Sequence, residues 1–192
     1  MTDTGILRQR KWTDDELQQE GFHEYKPIKQ LVMARLLIEK KNIDIDTETI
    51  TGKMGDFICY RPGTERKEDP DDYDHWPVRR DIFFKSYDNW DEPGWTPNPA
   101  EQHLMSMGCR PYYKSLGVWA QRLHNTRRVQ SLESPSPANV PAGYWLIVGS
   151  EGEPYSMPDD DFRSRYVVPK ETLKDKIYWA TVTGFSKKGA ST

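Results

Sequence analysis

The chain has 192 residues, of which 35% are hydrophobic and 30% are charged, and its formal net charge is −3. This length suits one medium domain or two small ones, and the acidic balance disfavours nucleic acid as a partner because such binders usually carry a basic excess. No stretch approaches the roughly 18 apolar residues of a membrane span, and the N-terminus lacks the apolar core of a signal peptide. Two cysteines cannot form a disulfide framework, so we expect a cytoplasmic location.

Residues 1–28 are predicted to be an N-terminal segment that contains one capped helix over residues 12–20. Thr13 and Glu16 have the spacing of a capping box, in which each satisfies the backbone amide of the other. Gly21 is a suitable end for this helix.

A first β module is predicted over residues 29–90. The apolar run 31–37 predicts a strand, and DFICY at 56–60 predicts a second one after the turn-rich TGKMGD. The Gly55-Asp56 pair is interpreted as turn chemistry, since glycine permits positive φ and the aspartate can accept a hydrogen bond from a nearby amide. An extended HWPV and a short helix over RRDIFFKSY complete the module.

Residues 91–117 are predicted to be a linker with one helix. Asn98 is the expected N-cap, Pro99 the first helical residue and Gly108 the stop.

Residues 118–192 are predicted to form a second β module. Strands are expected at 117–123, 129–133 and 143–149. The alternation in KIYWATVTGF at 176–185 predicts a closing strand that covers a sheet edge.

The two modules resemble each other in sequence. WPVRRDIFFKSY at 76–87 aligns without a gap with YSMPDDDFRSRY at 155–166, which places Asp81 against Asp160, and the earlier Gly55 aligns with Gly143. We therefore predict an α+β, mostly β fold made of two small twisted β modules, barrel-like and related by internal duplication, with short helices.

The stretch TGKMGDFICY … HWPVRRDIFFKSYD also resembles the PGDYG-like domains, a small bacterial and phage family, so the chain looks like a tandem PGDYG-like protein. Gly55, Asp56 and the WPV…DIF…Y residues match the family pattern, whereas Met54 replaces its proline and Phe57 its tyrosine. The resemblance implies an architecture and a bacterial or phage origin. It implies no activity, because none is established for the family.

Candidate ligand-binding residues are Trp76, Arg79, Asp81 and Tyr155. The aromatic rings would stack on a base or a sugar, and the arginines beside Trp76 would suit an anion or a phosphate. Burial of the rings and helix-start roles for Asp81 and Asp160 are the plainer interpretation. A catalytic pair formed by these two aspartates is the alternative.

We expect no catalytic set, no cofactor and no metal. The histidines and cysteines lack metal-ligand spacing, which disfavours a zinc site formed by His75, His103, Cys59 and Cys109. Cys109 next to Arg110 is weak support for a nucleophile.

Three functions are considered. The preferred one is a non-catalytic binding or assembly module that contacts a protein partner or a second copy through Trp90 and Trp95, since tryptophans are frequent interface anchors. The alternative is a small-molecule or nucleotide-binding protein, or an enzyme, with a site between the modules. The third is RNA binding through residues 119–128, where Trp119 adjoins the basic QRLHNTRR.

Overall fold

A computed structural model describes residues 5–45, 48–132 and 134–189, and the side chains among them outside 44–50 and 185–189. The chain divides into two compact units: unit 1 is Met1–Ile28 with Gly117–Thr192, and unit 2 is Lys29–Leu116. The α+β class with more strand than helix is confirmed. None of the sheets formed by the described residues closes into a barrel.

The N-terminal part of unit 1 contains β1 (Ile6–Arg8), α1 (Asp14–Gln19) and β2 (His23–Tyr25). The predicted capping box starts α1: the Thr13 hydroxyl accepts a hydrogen bond from the Glu16 amide at 3.2 Å, and the Glu16 carboxylate accepts one from the Thr13 amide at 2.8 Å. Gly21 follows the helix with a φ of +90°, as the predicted stop requires.

The described residues of unit 2 form, in chain order, β3 (Val32–Leu36), β4 (Lys41–Ile45), β5 (Glu48–Gly52), β6 (Phe57–Arg61), a short 3-10 helix (Pro70–Asp72), β7 (Asp74–Val78), α2 (Arg80–Ser86), β8 (Tyr87–Asn89), α3 (Pro99–Ser106) and β9 (Arg110–Lys114). An antiparallel five-stranded sheet has the order β7-β6-β3-β9-β8, and β4 pairs with β5 as a separate hairpin. The predicted strands at 31–37 and 56–60 and both predicted helices are confirmed, whereas the β4–β5 hairpin was not predicted.

The C-terminal part of unit 1 contains β10 (Val118–Arg122), β11 (Arg127–Gln130), β12 (Ala138–Val140), β13 (Trp145–Val148), β14 (Pro154–Met157), α4 (Asp159–Arg165) and α5 (Leu173–Gly189). One antiparallel sheet has the order β14-β13-β10-β2. A second has the order β1-β11-β12, with β1 parallel to β11.

The predicted C-terminal strand at 176–185 is wrong, because these residues lie in α5. A capping box also starts this helix: the Thr172 hydroxyl accepts a hydrogen bond from the Asp175 amide at 3.1 Å, and the Asp175 carboxylate accepts one from the Thr172 amide at 3.0 Å. The cap satisfies orphan amides of the first turn, which outweighs a short alternation of apolar residues.

The two larger sheets share one strand register. In unit 2 the first residue of β6 lies opposite both the last residue of β3 and the last residue of β7. In unit 1 the first residue of β13 lies in the same way opposite the last residues of β10 and β14. The matched pairs are Leu36 with Phe57, Phe57 with Val78, Arg122 with Trp145, and Trp145 with Met157.

Aromatic stacking follows the same plan in each unit. Phe83 of α2 stacks on Phe57 with ring centroids 4.0 Å apart. Phe162 of α4 stacks on Trp145 at the same 4.0 Å. Because both helix residues are almost fully buried, the aligned aromatic positions serve the core.

The order of pairing differs from the order of the chain. The α1–β2 segment precedes β3 in the chain, yet β2 pairs with β10. The α3–β9 segment precedes β10, yet β9 pairs with β3. Residues 1–28, predicted as a separate segment, therefore complete a sheet of unit 1, and residues 91–117, predicted as a linker, supply a helix and a strand to unit 2.

Candidate functional site

A depression of about 540 Å³ on unit 2 combines several of the residues singled out in the sequence. We call it the Phe84 surface and define it by its lining residues Met54, Gly55, Asp56, Arg79, Arg80, Asp81 and Phe84. It lies where the turn before β6 meets the start of α2.

The turn forms one side of the Phe84 surface. Gly55 has a φ of +96°, which a residue with a side chain rarely adopts. The Asp56 carboxylate accepts a hydrogen bond from the Lys53 amide at 2.9 Å, as the turn interpretation predicted. The turn leaves the Met54 side chain 74% exposed.

An ion pair at the start of α2 forms the opposite side. The Arg79 guanidinium donates to the Asp81 carboxylate from Nε at 3.1 Å and from Nη2 at 2.6 Å. These hydrogen bonds lower the pKa of Asp81, which is therefore ionised at neutral pH. The predicted helix-start position of Asp81 is confirmed, since it lies in the first turn of α2.

Phe84 is the largest exposed apolar group of this surface. Its side chain is 63% exposed, and its ring edge meets Phe57 at a centroid distance of 5.4 Å. The Arg80 guanidinium lies 5.8 Å from the Phe84 ring centroid. Leu36, which pairs with Phe57 in the sheet, is 40% exposed. The exposed apolar side chains thus lie near the ion pair of Arg79 and Asp81.

The corresponding face of unit 1 is covered by its own α5. The positions that match Leu36 and Phe84 are Arg122 and Arg163. The Arg122 guanidinium lies 4.2 Å from the Trp179 ring centroid, and Glu171, just before α5, accepts hydrogen bonds from Arg122 at 2.9 Å and from Arg163 at 2.8 Å. The two arginines therefore hold α5 on this face.

A groove of about 340 Å³ remains beside α5 in unit 1. Its two arginines are paired with carboxylates: Arg122 and Arg163 both bind Glu171, and Arg163 also donates to Asp159 at 2.9 Å. The Arg122 side chain is only 10% exposed, and burial lowers the pKa of its guanidinium. His23, His124 and Trp179 line the same groove.

The remaining candidate ligand residues lie elsewhere. Trp76 is half-buried on β7 and packs against the core cluster that contains Phe83. Tyr155 belongs to unit 1, on β14, and burial raises the pKa of its hydroxyl. Of the four predicted ligand residues, the structure brings Arg79 and Asp81 together on the Phe84 surface.

Trp90 and Trp95 are both half-buried within unit 2. The Lys29 ammonium lies 5.5 Å from the Trp90 ring centroid. The indole nitrogen of Trp95 donates to the Glu101 carboxylate at 3.0 Å, next to the capping box of α3. Both rings therefore help to hold the segment before α3.

Neither cysteine is suited to nucleophilic chemistry. Both thiols are free and buried, and burial raises the pKa of Cys59 and raises that of Cys109 to about 11. Both are therefore protonated at neutral pH. Within the described residues, no three His, Cys, Asp or Glu side chains are grouped as metal ligands.

Two arginines of the basic stretch 119–128 are paired with neighbouring carboxylates. Arg122 pairs with Glu171 at 2.9 Å, and Arg127 pairs with Glu20 at 2.9 Å. Such pairing reduces the positive potential that attracts a phosphate backbone.

The sequence prediction singled out neither Met54 nor Phe84 as a site residue. A signal was present, because neighbouring residues of a helix point about 100° apart, so a short helix can turn only one of two adjacent aromatic side chains to the core. Phe83 takes that place, which leaves Phe84 for the surface.

No known protein family, curated protein or solved structure gives a significant match to this chain. Among the helices of the described ranges, none combines the length and the apolar character needed to cross a bilayer.

Proposed function

We propose that the chain is a non-catalytic protein-binding module and that the Phe84 surface is its contact site. The observation that carries the proposal is the exposure of Leu36, Met54 and Phe84 around one turn, at a face whose counterpart in unit 1 is covered by packing. Exposed aromatic and methionine side chains beside arginine are the composition enriched at protein interfaces.

Internal duplication and membership of the PGDYG-like family are part of this proposal. The shared strand register and the matched stacks of Phe83 and Phe162 support duplication. The family pattern includes the Gly-Asp pair at residues 55–56. The positive φ of Gly55 and the turn hydrogen bond of Asp56 support a structural role for this pair in the turn. A cytoplasmic location is also proposed, since both free thiols suit a reducing compartment.

Site-specific photo-crosslinking in the native host tests the protein-binding function. A photoreactive phenylalanine analogue at position 84 is compared with one at position 132, where Leu132 is 80% exposed in unit 1. We expect a partner cross-linked at position 84, identified by mass spectrometry and then purified. Phe84→Glu should weaken its binding at least tenfold and Leu132→Glu less than twofold. Equal cross-linking at both positions, or none at position 84, contradicts the proposal.

A second candidate function is small-molecule binding in the groove of unit 1. It is favoured by Arg122, a largely buried cation beside the Trp179 ring, within a volume of about 340 Å³. A thermal-shift screen with nucleotides and sugar phosphates tests it, since a ligand at 100 times its Kd adds about 2.7 kcal/mol of stability. A hit must be lost in Trp179→Leu; a screen without a hit removes this candidate.

A further inference from the structure

We propose that the Phe84 surface binds an amphipathic helix of a partner protein, and that α5 of unit 1 shows how such a helix lies on it. This inference rests on the proposed protein-binding function and names the kind of segment that is bound. It begins from the two faces that the shared strand register makes equivalent.

The equivalence is fixed at three positions. Leu36 lies opposite Phe57, the first residue of its sheet neighbour β6, and Arg122 lies opposite Trp145, the first residue of its sheet neighbour β13. Phe84 and Arg163 each follow the helix residue that stacks on that strand. Gly55 and Gly143 each precede the same strand residue by two positions and have a φ of +96° and +87°.

The α5 helix contacts two of these positions in unit 1, and Glu171, two residues before its start, contacts the third. Trp179 packs on Arg122, Glu171 binds Arg163, and Thr183 lies over Gly143, with its Cγ2 atom 2.5 Å from the position that a Cβ there would take. A side chain at position 143 would therefore collide with this helix. The glycine permits its close approach.

The Phe84 surface offers the same close approach with no occupant among the described residues. A Cβ built on Gly55 would meet no atom within 4 Å. The arginines that bind Trp179 and Glu171 in unit 1 are replaced by Leu36 and Phe84, both exposed. The helical segment that fits this surface therefore needs apolar side chains where unit 1 has Trp179 of α5 and the preceding Glu171.

The spacing in α5 gives the expected sequence pattern. Trp179 and Thr183 are four residues apart, so they lie on one helix face. The partner helix should carry a large apolar residue for Leu36, a small residue four positions later for Gly55, and a second apolar residue towards its N-terminus for Phe84. The described α5 spans 17 residues, or about 25 Å at 1.5 Å per residue.

A partner protein is a better occupant than α5 of a second copy. The α5 helix is held in its own unit by Trp179 and Glu171. Placed on the Phe84 surface, it would set the Glu171 carboxylate against the Phe84 ring, in place of the two arginines that bind it in unit 1.

The test is selection of 20-residue peptides from a random phage-displayed library on the full-length chain, with counter-selection on Phe84→Glu. We expect enriched peptides with the apolar–small spacing above, which gain helical circular dichroism on binding. Their Kd should rise at least tenfold in Phe84→Glu and in Met54→Glu, and less than twofold in Leu132→Glu. Because Phe84 and Met54 are exposed, both variants should keep the circular dichroism spectrum of the wild type.

The other outcomes separate the two proposals. Peptides that depend on Phe84 but bind in an extended form overturn the helix inference and leave the protein-binding function standing. A library that yields no Phe84-dependent peptide overturns both. A dimer of the wild type that Phe84→Glu converts to monomer, measured by light scattering, makes a second copy the occupant and overturns the choice of a partner protein.

Discussion

Phe83 lies almost parallel to Phe57, with their ring centroids 4.0 Å apart and their planes 4° apart. The stack joins α2 to the central sheet of unit 2. Because Phe83 is only 1% exposed, its ring fills the space between helix and sheet, while its neighbour Phe84 faces outward.

This difference between adjacent residues predicts opposite effects of truncation. Phe83→Ala should lower the free energy of unfolding by about 3–5 kcal/mol, because it removes a buried ring and leaves a cavity. Phe84→Ala should change it by only about 0.5 kcal/mol, as is usual at the surface. Urea unfolding of both variants measures the two values. Equal losses would mean that Phe84 belongs to the core and would remove the Phe84 surface as a binding site.

The predictable part of the fold consists of local signals. The capping boxes at Thr13 and Asn98 and the turn at Gly55 depend on residues three positions apart or fewer, so the sequence displays them directly. Each of these predictions is confirmed. The Thr172 cap of α5 is an equally local signal. The strand predicted at residues 176–185 is wrong because the apolar alternation there was given more weight than this cap.

The rest depends on pairing at long range. Nothing near β2 distinguishes β3, seven residues away in the chain, from β10 as its partner, because each offers an apolar antiparallel edge. Local patterns therefore could not predict that β2 pairs with β10 of unit 1 and that β9 pairs with β3 of unit 2. The binding surface was missed for a related reason, since exposure of Phe84 and Met54 depends on which face the rest of the unit covers.

Gly143 should tolerate alanine less well than Gly55. Both have positive φ, which costs a residue with a Cβ about 1–2 kcal/mol, but Gly143→Ala also meets Thr183 Cγ2 of α5. We expect a larger loss of stability and faster amide exchange in α5 for Gly143→Ala. Adding Thr183→Ala should abolish the extra loss of stability in Gly143→Ala, because it removes the Cγ2 atom that the new Cβ would meet. If the second substitution leaves the cost of Gly143→Ala unchanged, α5 does not lie against this glycine in solution.

Glu171 should matter more to stability than the exposed Asp81. Glu171→Gln should cost about 1–3 kcal/mol, because Arg122 and Arg163 are largely buried and each loses a charged acceptor. Asp81→Asn should change the free energy of unfolding much less, since its pair with Arg79 is half-exposed and screened by solvent. Urea unfolding at low and high salt checks both; salt should reduce only the smaller effect. Equal costs would mean that solvent reaches the α5 ion pairs freely.

The buried thiols predict a loss of stability at high pH. Burial raises the pKa of Cys109 from its ordinary 9.0 to about 11 and raises that of Cys59 as well. The folded state thus holds these protons more tightly than the unfolded state does. This contribution is complete below pH 9 and is lost as pH rises through 11. Urea unfolding at pH 8 and pH 10.5 should show the decrease, and Cys59→Ala with Cys109→Ala should reduce it. Rapid thiol labelling of the native chain at pH 8 would contradict the assignment.

The pairing order predicts which fragments fold. Residues 29–116 contain every strand of the five-stranded sheet and of the β4–β5 hairpin. This fragment should therefore unfold cooperatively in urea and give dispersed amide resonances. Residues 1–90 follow the module boundary that the sequence predicts, but they lack α3 and β9, so an inner strand of the sheet is missing and β3 is left with an open edge. We expect this second fragment to be unfolded or aggregated. If residues 1–90 fold cooperatively, β2 can replace β9 beside β3, and the exchanged pairing is not required for folding.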